Sequence, residues 1–248
     1  MVNDMHESIK DVDINYTLYG NNHKDTIVLL HGWGQNIDMM KPIGNYLEDD
    51  YQILIPDLPG FGNSDTPSYP WSLDDYVEVI HELISRLKIK KVILMGHSFG
   101  GKIALLYASK YDVEKLVVFG SPINHNHKVT TKTKILKGIK KLPGMNKIGE
   151  VAKKFIGSDD YKKANPIMRQ ILVNHVNQDI YDDIKKIKAP TLIVWGTADM
   201  QVDVEVAYEI EKAISNSGVV VYEGCSHYAY LERLNQTINV LNSFLGGE

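Results

Sequence analysis

Short apolar runs recur along the chain: Thr26–Leu30, Gln52–Pro56, Lys91–Met95, Leu116–Phe119, Thr191–Trp195 and Val219–Tyr222. They are mostly continuous rather than alternating and rich in Val, Ile and Leu, as expected of strands buried on both faces of a parallel sheet. An earlier stretch, Ile14–Tyr19, alternates and ends at Gly20, which predicts a half-buried strand. Between the runs the spacing changes from two to that of a helix. Ser72-Leu73-Asp74-Asp75 resembles a capping box with Asp in place of Glu, and Tyr76, Val79, Ile80, Leu83, Ile84 and Leu87 follow at helical intervals. Further helices are predicted over Ile37–Leu47, Lys102–Ala108, Val204–Ile214 and from Leu231 to Phe244. Strands alternating with helices predict an α/β protein whose mostly parallel central sheet carries helices on both faces.

The alternation stops between Pro122 and Lys188, where no strand-like run occurs. Helical segments replace it, punctuated by Pro143-Gly144, Gly157 and Pro166. The expected organisation is a core of residues 1–121 and 189–248, with 122–188 inserted between two core strands as a helical cap.

At 248 residues, with 44% hydrophobic and 23% charged positions, the chain can bury a core without metal or disulfide support. Its single cysteine, Cys225, excludes an internal disulfide framework and fits a reducing compartment, so a cytoplasmic location is expected. No apolar run reaches membrane-spanning length, and the first residues lack the apolar stretch of a signal peptide. A net charge of −4 gives no support to nucleic-acid binding.

The chemistry concentrates in Gly96-His97-Ser98-Phe99-Gly100-Gly101, set between a predicted buried strand and a predicted buried helix. A G-x-S-x-G pattern in that setting is a nucleophile elbow, in which small flanking residues let the chain turn sharply and lift the serine to the apex. A serine hydroxyl needs a base, and the base needs a partner that fixes its tautomer. Asp199 follows the strand Thr191–Trp195 and His227 follows Val219–Tyr222, so three loops at one sheet edge supply Ser98, Asp199 and His227 in the order expected of an elbow serine. His97, next to the serine, should point away from it. The oxyanion donors expected are the backbone N–H of Phe99 and that of Trp33, in the loop opened by His31-Gly32. His125, His127 and His175 show no zinc-ligand spacing, and neither metal nor cofactor is called for.

Taken together, His31-Gly32-Trp33-Gly34, Asp57-Leu58-Pro59-Gly60-Phe61-Gly62-Asn63-Ser64, the elbow, Trp195-Gly196-Thr197-Ala198-Asp199 and Gly224-Cys225-Ser226-His227 resemble the α/β-hydrolase fold with a helical cap, over essentially the whole chain. One departure is the absence of a proline shortly after the acid, which leaves Asp203 as an alternative acid. The resemblance implies a serine hydrolase acting on a small-molecule ester, a carboxylesterase working through an acyl-enzyme. It argues against the haloalkane dehalogenases and most epoxide hydrolases of this fold, which use aspartate as nucleophile. It leaves open carbon–carbon bond hydrolysis, perhydrolysis, hydroxynitrile lysis, proline aminopeptidase action, hydrolysis of carrier-protein methyl esters, and a ligand receptor or signalling protein that retains the triad. Glu232 is expected to tie the last helix to the site loops.

Within the insertion, Pro122–Lys163 holds eleven lysines against three acids. Two readings stand: a solvated helix face, or a surface that attracts an anionic substrate, an acidic carrier protein or an anionic membrane. The apolar residues Ile135, Leu136, Ile139, Phe155, Ile156 and Met168 are expected to line part of an acyl pocket.

Overall fold

In a strand, neighbouring side chains point to opposite faces, so a continuous apolar run feeds two cores at once. The computed structural model, which describes residues 5–22, 25–124 and 164–246, shows this division. Val28 and Leu30, Leu94, Leu116 and Val118, Ile193 and Trp195 join one core; Ile27 and Leu29, Ile93 and Met95, Val117 and Phe119, Leu192 and Val194 join the other.

Among the described residues the strands form one eight-stranded sheet: β1 (Met5–Ile9), β2 (Val12–Gly20), β4 (Gln52–Pro56), β3 (Thr26–Leu30), β5 (Val92–His97), β6 (Lys115–Phe119), β7 (Thr191–Gly196) and β8 (Ser217–Tyr222), in that spatial order. From β4 to β8 all pairings are parallel, while β1 and β2 run antiparallel at one edge. The edge strand β1 is not predicted by the apolar pattern. It alternates half-buried and exposed side chains, and its register against β2 (Met5 opposite Tyr16) supplies what its sequence lacks.

One face of the sheet carries α2 (Leu73–Arg86), α3 (Ser98–Ala108) and α6 (Glu205–Ala213); the other carries α1 (Lys41–Leu47) and α8 (Leu234–Gly246). Helix α2 opens with the predicted capping box: Ser72 accepts from Asp75 N, and the Asp75 carboxylate accepts from Ser72 N. The predicted helix over Ile37–Leu47 is divided into a 3-10 turn (Ile37–Met39) and α1, which begins with Pro42 in its first turn, where a missing N–H costs nothing. The last predicted helix is likewise divided, into α7 (Ala229–Glu232) and α8, because Arg233 leaves helical geometry at ψ 43°.

Between β6 and β7 the described residues are helical where they are regular: α4 (Pro166–Asn177) and α5 (Tyr181–Ile184). Pro166 begins α4 rather than interrupting a helix, with Asn165 as cap accepting from Met168 N at 2.9 Å. His125, His127, Ile135, Leu136, Ile139, Phe155, Ile156 and the eleven lysines from Lys128 to Lys163 lie outside the described residues.

Crowding at the centre of this sheet is testable. A Cβ on Gly100 would collide with the carbonyls of Leu30 and His31 at the end of β3, whereas one on Gly218, in edge strand β8, would meet nothing within 4 Å. Urea unfolding of Gly100→Ala should show a loss of about 2 kcal/mol or more, and Gly218→Ala should stay within about 0.5 kcal/mol of the parent.

Candidate active site

Strand β5 ends at His97 and α3 begins at Ser98, so the chain reverses from extended to helical within one residue. Ser98 takes the strain, with φ at 51°, in the left-handed region that L side chains rarely occupy. Gly96 and Gly101 make the turn sterically feasible: a Cβ on Gly96 would strike the backbone of Gly100, and one on Gly101 would strike Ser121 Oγ. As the second residue of α3, Phe99 has an N–H without an intrahelical acceptor.

Asp199 follows β7, two strands from β5, and His227 follows β8, one strand further. His227 Nδ1 and Asp199 Oδ2 are 2.7 Å apart, and both side chains are almost wholly buried. The other carboxylate oxygen of Asp199 accepts from Gln201 N (2.8 Å) and Val202 N (2.9 Å), which fixes the group's orientation. Asp203 instead accepts from Glu205 N at the start of α6. The loop between β6 and the helical segment packs against the pair: a Cβ on Gly120, at φ 56°, would lie 3.1 Å from His227 Nδ1 and 3.4 Å from Asp199 Oδ2.

His227 is held from behind. His97 Nε2 lies 3.0 Å from the His227 carbonyl, so the imidazole beside Ser98 braces the neighbouring loop. Glu232 accepts from both the backbone N–H and the hydroxyl of Ser226, tying α7 to the residue before His227, and these hydrogen bonds hold its carboxyl below the usual range.

The loop after β3 contributes Trp33. Among the described residues its N–H has no acceptor. Its indole packs edge-on to Phe61 (4.9 Å) and Phe99 (5.3 Å), giving an apolar wall beside the elbow. Gly32 is short of room, since a Cβ there would sit 2.9 Å from His97 Nδ1, and its N–H donates to Gln35 Oε1 at 2.9 Å. Gln35 also reaches toward Tyr228, so one amide spans the loop after β3 and the loop that carries His227.

Residues 25–141 match the family described as the alpha/beta hydrolase fold. Over 258 aligned positions the chain is 30% identical to Lipase 1 of Psychrobacter immobilis, covering 92% of this chain and 79% of that lipase. The chain belongs to the α/β-hydrolase fold family. A human monoacylglycerol lipase is 27% identical over 90% of this chain and 76% of its own length. A hydrolase from Pseudomonas aeruginosa PA01 superposes with a TM-score of 0.77, covering 99% of both chains at 20% identity.

Three further residues of this α/β-hydrolase site had no role read for them in the sequence, although His31 and Asp57 fall within the quoted motifs. Asp57, after β4, accepts from Ile37 N (2.8 Å), Asn63 N (2.7 Å) and Asn15 Nδ2 (2.8 Å), knitting three segments beneath the Phe61 loop. His31 donates from Nδ1 to Gly32 O and accepts at Nε2 from Leu58 N, which sets its tautomer. Lys102, one turn into α3, is fully buried, and its ammonium donates to the carbonyls of His175 and Gln178 at the end of α4. Burial pushes it down to about 7, against the pull of Asp179. Among the described residues no three His, Cys, Asp or Glu side chains converge as metal ligands.

Burial also holds His97 down to about 3 and His31 down to about 4, from a free value of 6.5. Both are neutral in the folded protein and take up protons only on unfolding. The unfolded chain therefore binds more protons below pH 6.5, so the contribution is full above that pH and is lost as pH falls toward the folded values. For His97 the loss should be about 2 kcal/mol between pH 8 and pH 5. In His97→Gln, which keeps a donor for the His227 carbonyl, the fall in unfolding free energy over that range should be smaller by about that amount, measured by denaturant melts at each pH.

Proposed function

We propose that the protein is a serine hydrolase that cleaves carboxylic esters of small to medium acyl chain through an acyl-enzyme, with 122–188 acting as a cap over the serine. The observation that carries the reading is the buried His227–Asp199 hydrogen bond at the sheet edge where Ser98 stands in left-handed geometry. In this reading Ser98 Oγ attacks the ester carbonyl carbon while His227 Nε2 takes the hydroxyl proton. Asp199 holds the tautomer with Nδ1–H and stabilises the imidazolium. The N–H groups of Trp33 and Phe99 receive the negative oxygen of the tetrahedral intermediate. Its collapse breaks the bond to the alcohol, which leaves with the proton from His227. Water then attacks the acyl-serine by the same steps in reverse, releasing the acid and restoring Ser98.

The names of the relatives support ester chemistry: two are lipases. The aromatic wall of Trp33, Phe61 and Phe99 supports an apolar acyl group. No helix among the described residues is long and apolar enough to cross a membrane. A cytoplasmic site of action is part of the proposal and rests on the single cysteine.

The test is a panel of esters graded in chain length, extended to carbon–carbon and amide substrates, with two carboxylate variants. Ester hydrolysis should peak at short to medium chains. Asp199→Asn should lower kcat by roughly 10³–10⁴-fold, while Asp203→Asn should remain near the parent. A greater loss in Asp203→Asn would move the acid. Turnover confined to carbon–carbon or amide substrates would overturn the ester reading.

A further inference from the structure

Helix α4 turns Met168, Ile171, Leu172, His175 and Val176 inward. Four of these are hydrocarbon or thioether side chains, as a helix packed on an apolar wall requires. His175 is the exception. It is 93% buried, and its Nδ1 is sealed from solvent without a hydrogen-bond partner among the described residues. Buried polar atoms are nearly always paired, and one left unpaired is costly unless something else completes it.

The position is built rather than loose. The His175 carbonyl accepts from buried Lys102 Nζ at 2.8 Å, so α3 anchors that turn of α4. Asn174 donates to the Trp71 carbonyl, and Gln178 donates to Asp74 of α2 at 3.2 Å. At the other end of the helix Met168 packs on Gly60, where a Cβ would overlap its sulfur. The His175 ring lies edge-on to Phe99 at 4.5 Å and parallel to Trp33 at 6.4 Å. Those are the two residues whose N–H groups are assigned to the oxyanion, and Phe99 adjoins Ser98. The inward imidazole of α4 thus packs on the aromatic rings of the two residues that flank the elbow.

We infer that His175 is a substrate-binding residue whose Nδ1 hydrogen-bonds a hydroxyl group on the ester, so that the protein prefers hydroxylated esters to their hydrocarbon counterparts. Burial and the nearby Lys102 charge hold His175 well below its usual range, so the ring is neutral. A neutral imidazole both donates and accepts, as a hydroxyl does, and suits it better than a carboxylate. The hydroxyl can belong to the alcohol portion or the acyl portion, and two pairs of substrates separate these sources. The inference rests on the proposed ester hydrolysis.

The experiment compares kcat/KM for glycerol monobutanoate against propyl butanoate, and for ethyl 3-hydroxybutanoate against ethyl butanoate. The parent protein should favour the hydroxylated ester in one pair by about tenfold or more. His175→Phe keeps ring packing against Trp33 and Phe99 and removes the hydrogen bond, so its ratio in that pair should fall to about one. His175→Asn, with an amide near the place of Nδ1, should keep part of the preference. Should the phenylalanine variant fail to fold, His175→Met carries the same comparison. An equal rate within both pairs in the parent, or a preference that survives in His175→Phe, overturns the inference while the hydrolase reading stands. If neither the hydroxylated nor the plain esters turn over, the hydrolase reading itself fails.

Discussion

Helix α3 has to begin at the residue after β5, and that single reversal governs the centre of the molecule. A strand ending in the middle of a parallel sheet leaves its last backbone groups pointing out of the carboxyl edge. A helix starting there places its first N–H groups at the same spot. The chain can do this only if one residue accepts left-handed geometry and the residues two positions to either side of it lack side chains. Ser98 accepts the geometry, and Gly96, Gly100 and Gly101 clear the space against their own turn, β3 and Ser121. The strain leaves the serine at the apex of the turn, and the eight-stranded sheet around it keeps the turn from relaxing.

Around that apex the structure buries polar groups that a purely apolar core would exclude. His31, His97 and Asp57 form loop-to-loop hydrogen bonds, and the imidazoles stay neutral because burial disfavours their charge. Their effect is on geometry: they set where the loops after β3, β4 and β8 stand relative to one another. Lys102 does comparable work on the far side of the elbow. Its stem runs through the apolar face of α3, and its ammonium satisfies carbonyls at the C-terminal end of α4, where a cation is favoured. The helix that bears the serine therefore also holds α4.

Much of this was legible in the sequence wherever a local rule sufficed. The buried strands announce themselves as apolar runs, and the Ser72–Asp75 box marks the start of α2. The placing of Ser98, Asp199 and His227 in loops after β5, β7 and β8 also followed from local patterns. Strand β1 was not legible, because its half-polar sequence gains strand structure only by pairing with β2. The break at Arg233 hides inside a helical spacing that continues on both sides. Gln35, Lys102 and His175 escape for a different reason: each acts through a partner distant in the chain, and Lys102 marks only the start of a predicted helix. What places them is the packing of α4 and the site loops, which no spacing rule encodes.

In the proposed reaction Ser98 is the residue that forms the covalent bond. Reaction of the native protein with a serine-directed fluorophosphonate, followed by mass-spectrometric peptide mapping, tests this directly. The expected result is one adduct per chain, on the peptide containing Ser98, and no adduct when the protein is unfolded first. An adduct on a different residue, or a protein that hydrolyses esters yet takes no label, would contradict it.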